Sequence, residues 1–191
     1  MREIKWGVSF RVYIARYLDS NHYFYIFRCF LTRLKMNSVF VSLEGFQLGK
    51  VLIAKELHIL DAQTDEFKHF VFMAPDVNLT HQDQLTIRYS TLHLHQLSWN
   101  EGDIPYCLIG KIFKKIRSCV VYCYGYTTTN FLRSMMPTTV IIDIQDSGYT
   151  MPKTIPAKVC FRDHTPRHCA AAKAHAIRDF VRTNKTQSFE D

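Results

Sequence analysis

The stretch that most constrains this chain runs from Cys160 to Val181 and reads Cys-Phe-Arg-Asp-His-Thr-Pro-Arg-His-Cys-Ala-Ala-Ala-Lys-Ala-His-Ala-Ile-Arg-Asp-Phe-Val. It joins a short-spaced cluster, Cys160, His164, His168 and Cys169, directly to apolar residues Ala172, Ala176, Phe180 and Val181 that recur at helical intervals. A set of metal-ligating side chains is thereby tied to the first turn of a rigid helix.

The chain has 191 residues, 47% of them hydrophobic, which suits one domain with an ordinary core. Its formal charge is +7, and residues 1–36 carry seven Lys/Arg against Glu3 and Asp19, which leaves the remainder only mildly basic. Charge alone is therefore weak support for a nucleic-acid partner, and a distributed solvated surface accounts for it better. Within the leader, Tyr23 to Leu34 is apolar but is interrupted by Arg28 and Arg33. It is too short and too charged to span a bilayer, so no membrane association is expected. Its scarcity of acids would also suit an organelle-targeting presequence, and a leader with no function in the folded domain suits it at least as well. Residues 1–36 are set outside the core fold, with a domain over 37–182 and a tail over 183–191.

Six cysteines, Cys29, Cys107, Cys119, Cys123, Cys160 and Cys169, are too sparse for a disulfide framework. They fit a reducing intracellular compartment, cytoplasmic or nuclear. Cys107, Cys119 and Cys123 lie among Ile, Leu, Val and Tyr, and are expected to be small core residues. Asn78-Leu-Thr80 and Asn184-Lys-Thr186 would matter only in a secreted protein.

From Asn37 onward, Val39 to Leu43, Val51 to Leu60 and Phe67 to Met73 read as three strands of a meander, with a turn over Gly45 to Gly49. Gln82 to His95 is helical or irregular. Ile104 to Ile116 carries apolar residues at helical spacing, with basic residues at its C-terminal end where the helix dipole favours them. Ser118 to Tyr124 is a strand, Thr128 to Met135 a short helix, Thr139 to Ile144 a strand and Cys169 to Arg182 the last helix. Strands first and helices alternating with strands afterwards indicate an α/β mixed sheet covered by helices.

This arrangement resembles the DEDDh exonucleases of the ribonuclease H-like fold, over about residues 37–182. Their first motif, Asp-x-Glu, corresponds here to Ser42-Leu43-Glu44. Their last, His-x-Ala-x-x-Asp-Ala, corresponds to His168-Cys169-Ala170-Ala171-Ala172-Lys173-Ala174. Leu94 to Trp99 followed by Gly102-Asp103-Ile104-Pro105 looks like the linker before the middle motif, which aligns with Val120 to Leu132 and puts Thr128 near its Asp. In the family, four carboxylates hold two divalent metals that activate water, with the His as general base. Here Ser42, Thr128 and Lys173 replace three carboxylates, leaving Glu44 and His168 as remnants. Mg²⁺ or Mn²⁺, which require oxygen ligands, are therefore not expected. Lys173 either pairs with Glu44 in the place of the metals or points to solvent.

The Cys/His cluster resembles the Glu-Cys-His-Cys zinc site of Maelstrom domains and of arenavirus nucleoprotein exonuclease domains. The resemblance implies a structural Zn²⁺ held by Glu56, Cys160, His164 and Cys169, with His168 as a competing ligand; a buried Cys pair with surface histidines is the alternative. Loss of the catalytic carboxylates is shared with Maelstrom domains. That implies a degenerate module that binds single-stranded RNA or acts as a scaffold in RNA silencing or processing. A nuclease with a remodelled site and a protein-binding adaptor are the other classes. The Asp143, Asp146 pair is expected to be solvated, as are Lys111, Lys114, Lys115 and Arg117. Tyr122, Tyr124 and Tyr126 could stack bases, although packing against the sheet explains them better.

Overall fold

A computed structural model describes residues 38–153, Ile155 and 168–187, with side chains through Thr183. The leader, Cys160 and His164 lie outside the described residues. The strands are β1 (Ser38–Leu48), β2 (Val51–Asp61), β3 (Phe67–Val71), β4 (Val120–Cys123) and β5 (Ile141–Asp143), in the order β3-β2-β1-β4-β5. The first three form the antiparallel meander, and β4 and β5 add parallel strands beside β1. The expected α/β mixed sheet of the ribonuclease H-like type is what forms.

β1 is central, and covering both its faces makes Val39 to Leu43 buried without alternation. The expected turn over Gly45 to Gly49 is instead mostly strand: β1 continues to Leu48 across a register shift between Glu44 and Gly45. Glycine is required there because a Cβ on Gly45 would stand 2.1 Å from the Ile53 carbonyl oxygen.

Helix α1 (His81–His93) starts at a capping box in which Thr80 accepts from the Asp83 amide and Asp83 accepts from the Thr80 amide. The following linker is fastened by Lys55, which is wholly buried and donates its ammonium protons to the carbonyls of Trp99 (2.7 Å) and Glu101. Phe46 packs against both His95 and Trp99. Helix α2 (Ile109–Ile116) buries Ile109, Ile112, Phe113 and Ile116 at helical spacing, while Lys111, Lys114, Lys115 and Arg117 are exposed, as the periodicity predicts. Helix α3 (Tyr126–Met135) follows β4, and a 3-10 turn (Ile144–Ser147) follows β5.

Helix α4 (Ala170–Gln187) lies across β1 and β2. Ala170, Ala171, Ala172 and Ala174 are buried, and such small side chains let the helix approach the sheet closely. Farther along, Ala174, Ile177 and Val181 pack with Phe40, Leu60 and Ile144. Arg178 and Arg182 both reach Asp65 in the β2–β3 connection. Among the described residues no helix is long and apolar enough to cross a membrane.

Three expectations are corrected. Cys107 is exposed, because it falls in the 3-10 turn before α2 rather than on that helix's apolar face, whereas Cys119 and Cys123 are buried as expected. Tyr126 opens α3 and is 78% exposed instead of continuing the strand, while Tyr122 and Tyr124 pack against the core. Asp143 is buried rather than solvated, and only Asp146 is exposed.

Candidate functional site

The site is assembled by cross-strand registry. Ser42 of β1 is opposite His58 of β2, which is opposite His69 of β3, and one step along the strands Glu44 is opposite Glu56. Directly opposed residues project to the same face of a sheet, and this is the face on which α4 lies. The result is two rows of polar side chains, Ser42, His58 and His69 beside Glu44 and Glu56, roofed by the first turns of one helix.

Two glutamates directly opposite one another repel unless each charge is answered. Lys173 of α4 forms an ion pair with Glu44 Oε1, with side-chain exposures of 22% and 10% respectively. Glu56, fully buried, accepts a hydrogen bond from the Ala170 amide (3.1 Å) and meets His69 Nε2 at 2.6 Å. Its carboxylate thus sits at the N-terminus of α4, where the helix dipole favours negative charge.

Ser42 is buried beside Glu44, and His168 is half-buried in the turn just before α4. At the start of α3, the hydroxyl turned inward is that of Thr129, one residue beyond Thr128. It donates to Asp143 Oδ2 (2.8 Å) and lies 3.3 Å from Cys123 Sγ. Asp143 also accepts from the amides of Gly125 (2.9 Å) and Gln145 (3.0 Å), so it organises this corner as a structural hub. Burial pushes the Cys123 thiol up to about 11, with the Asp143 and Asp146 charges adding to the rise and the Thr129 hydrogen bond opposing it.

On this face Ser42 contributes a buried hydroxyl beside Glu44, whose carboxylate is paired with the Lys173 ammonium, and the Thr129 hydroxyl is turned to Asp143. Of the four residues of the expected zinc set, Glu56 and Cys169 are both wholly buried, and Glu56 accepts a hydrogen bond from Ala170, the residue after Cys169. Their chemistry, a carboxylate and a thiol excluded from water, suits a borderline-soft cation. Among the described residues no group of three or more His, Cys, Asp or Glu side chains stands ready to hold a metal ion.

Sequence reasoning missed His58, His69 and His175. His58 is wholly buried, and its ring lies 5.8 Å from that of His69 and 5.8 Å from that of His175, centre to centre. Burial holds its pKa well below the ordinary histidine value, and His69 and His175 push the same way. The available signal was the placement of His58 and His69 on adjacent strands of a hairpin, at positions that face one another once the turn is fixed.

No family model matches the chain, and no curated protein matches it. Among solved structures it is similar to the Mopeia virus exonuclease domain partially complexed with manganese, at 14% identity and a TM-score of 0.60, covering 86% of this chain and 87% of that one. It is likewise similar to the manganese-depleted form of that domain, at 15% identity and a TM-score of 0.56, covering 86% and 85%. At this identity the likeness speaks to architecture, and the architecture of the described residues is that of an exonuclease-type ribonuclease H-like fold.

Proposed function

We propose that this chain is a catalytically degenerate exonuclease-fold module that binds single-stranded RNA without trimming it, in the manner of a Maelstrom-like scaffold in RNA silencing or processing. The observation that carries this reading is the Lys173–Glu44 ion pair. One fixed ammonium stands beside Glu44 in place of a divalent cation: it cancels the carboxylate charge that would otherwise repel a phosphate, but it cannot activate water. A structural Zn²⁺ at Glu56, Cys160, His164 and Cys169 belongs to the same reading, supported by the burial of both Glu56 and Cys169 and by the hydrogen bond from Ala170 to Glu56. When bound there, the ion would tie the segment before α4 to β2.

The test is fluorescence anisotropy of labelled single-stranded RNA with the full chain, across a salt series. Phosphate contacts release counterions, so log K should fall against log salt with a slope of about −0.7 per contact on a single strand. Expected are a slope of that kind and weaker binding by Lys173→Met. The absence of binding at low salt would instead favour the protein-binding adaptor.

A further inference from the structure

We infer that this chain forms a two-fold symmetric dimer through the outer face of α1, with a second copy packed antiparallel on the same helix. Five of the eight large apolar side chains exposed among the described residues fall within residues 73–92, namely Met73, Val77, Leu85, Tyr89 and Leu92. The last three lie on α1, at 46%, 59% and 60% exposure. Single exposed apolar residues are ordinary, but a concentration of them marks a contact surface.

The helix itself gathers them. Leu85, Arg88, Tyr89 and Leu92 stand at i, i+3, i+4 and i+7, which is one continuous stripe of a helix, and all four are exposed. Ile87 and Ser90 make the opposite, buried side. The helix is already held by its capping box and by the Thr91 hydroxyl, which donates to the Leu97 carbonyl at 2.9 Å. Outward leucines add nothing to the fold of one copy.

The order of the stripe points to its occupant. It reads Leu85-x-x-Arg88-Tyr89-x-x-Leu92, so a two-fold axis passing between Arg88 and Tyr89 sets Leu85 against the partner's Leu92 and the Arg88 guanidinium against the partner's Tyr89. A cation over an aromatic face is attracted to it, and the symmetry makes every contact twice. Tyr89 is steadied for this by the His93 ring, 4.9 Å away centre to centre. Asp83, the one carboxylate of α1, is bound to Thr80 at the helix start and lies off the stripe. An acidic partner would meet a single cation and two leucines, whereas a second copy answers every member. At these exposures the stripe offers on the order of 400 Å², about half of what each side of a standard interface buries. The expected dimer is accordingly reversible, dissociating in the micromolar range.

Sedimentation equilibrium of the full chain between about 1 and 300 μM tests the inference. The weight-average mass should climb from 22.4 kDa toward twice that value as concentration rises. Leu85→Glu and Leu92→Lys alone should each weaken association at least about tenfold. Their circular dichroism and Tm at low concentration should match the parent, because both positions are exposed. The double variant sets opposite charges against one another across the axis and should recover the dimer. A parent that stays at 22.4 kDa throughout would overturn the inference. So would association that ignores both single substitutions, or that the double variant fails to recover.

Discussion

Glu44 and Glu56 face one another across adjacent strands, carry the same charge and are both held by α4, yet the helix answers them in different ways. Glu44 receives a side chain, the ammonium of Lys173, at a position still partly open to solvent. Glu56 receives the backbone, through the Ala170 amide, with His69 beside it and no exposure at all. The difference separates a contact that can be changed from one that holds the fold together. A partly hydrated side-chain pair can be remade by mutation at modest cost, whereas a buried carboxylate capping a helix is part of the fold.

Three substitutions sharpen or break that contrast. Glu56→Gln should be the most damaging, because it removes a buried charge from a helix N-terminus and from the His69 hydrogen bond; we expect a loss of about 3 kcal/mol or more in urea unfolding. Lys173→Met leaves Glu44 without its counter-charge and should cost about 1–2 kcal/mol, measured the same way. Glu44→Gln leaves only Lys173, which is the more exposed partner and can turn to water, and should cost less than about 1 kcal/mol. Equal losses for Glu56→Gln and Glu44→Gln would dissolve the distinction between the two carboxylates.

Much of the fold was legible because each long element carried its own period. The strand runs near Val39, Val51 and Phe67 and the apolar spacing of α2 and α4 all correspond to observed elements. The extension of β1 past Gly45 was not, since a glycine that makes room for the Ile53 carbonyl looks the same in sequence as one that makes a turn. Ser42, Glu44, Glu56 and Lys173 were legible as a group only through the motif pattern, and the choice between an ion pair and a solvent-facing Lys173 needed the helix's position over β1. Thr129, Asp143 and the three histidines were not legible because their meaning lies in burial and in registry between strands. Asp143 in particular looked like an ordinary residue beside a turn, although the Thr129 hydroxyl and two backbone amides converge on it.

The central claim is that the Lys173–Glu44 pair stands where an exonuclease would hold its metals. It is tested most directly by a time course of end-labelled single-stranded RNA and DNA with Mg²⁺ or Mn²⁺, run beside His168→Ala and Glu44→Ala. A lone general base contributes only about 10²–10⁴-fold, far short of what phosphodiester hydrolysis requires. The account predicts oligonucleotides of unchanged length with all three proteins. Trimming from the 3′ end by the parent, abolished by both substitutions, would contradict it and show that the site had been rebuilt rather than lost.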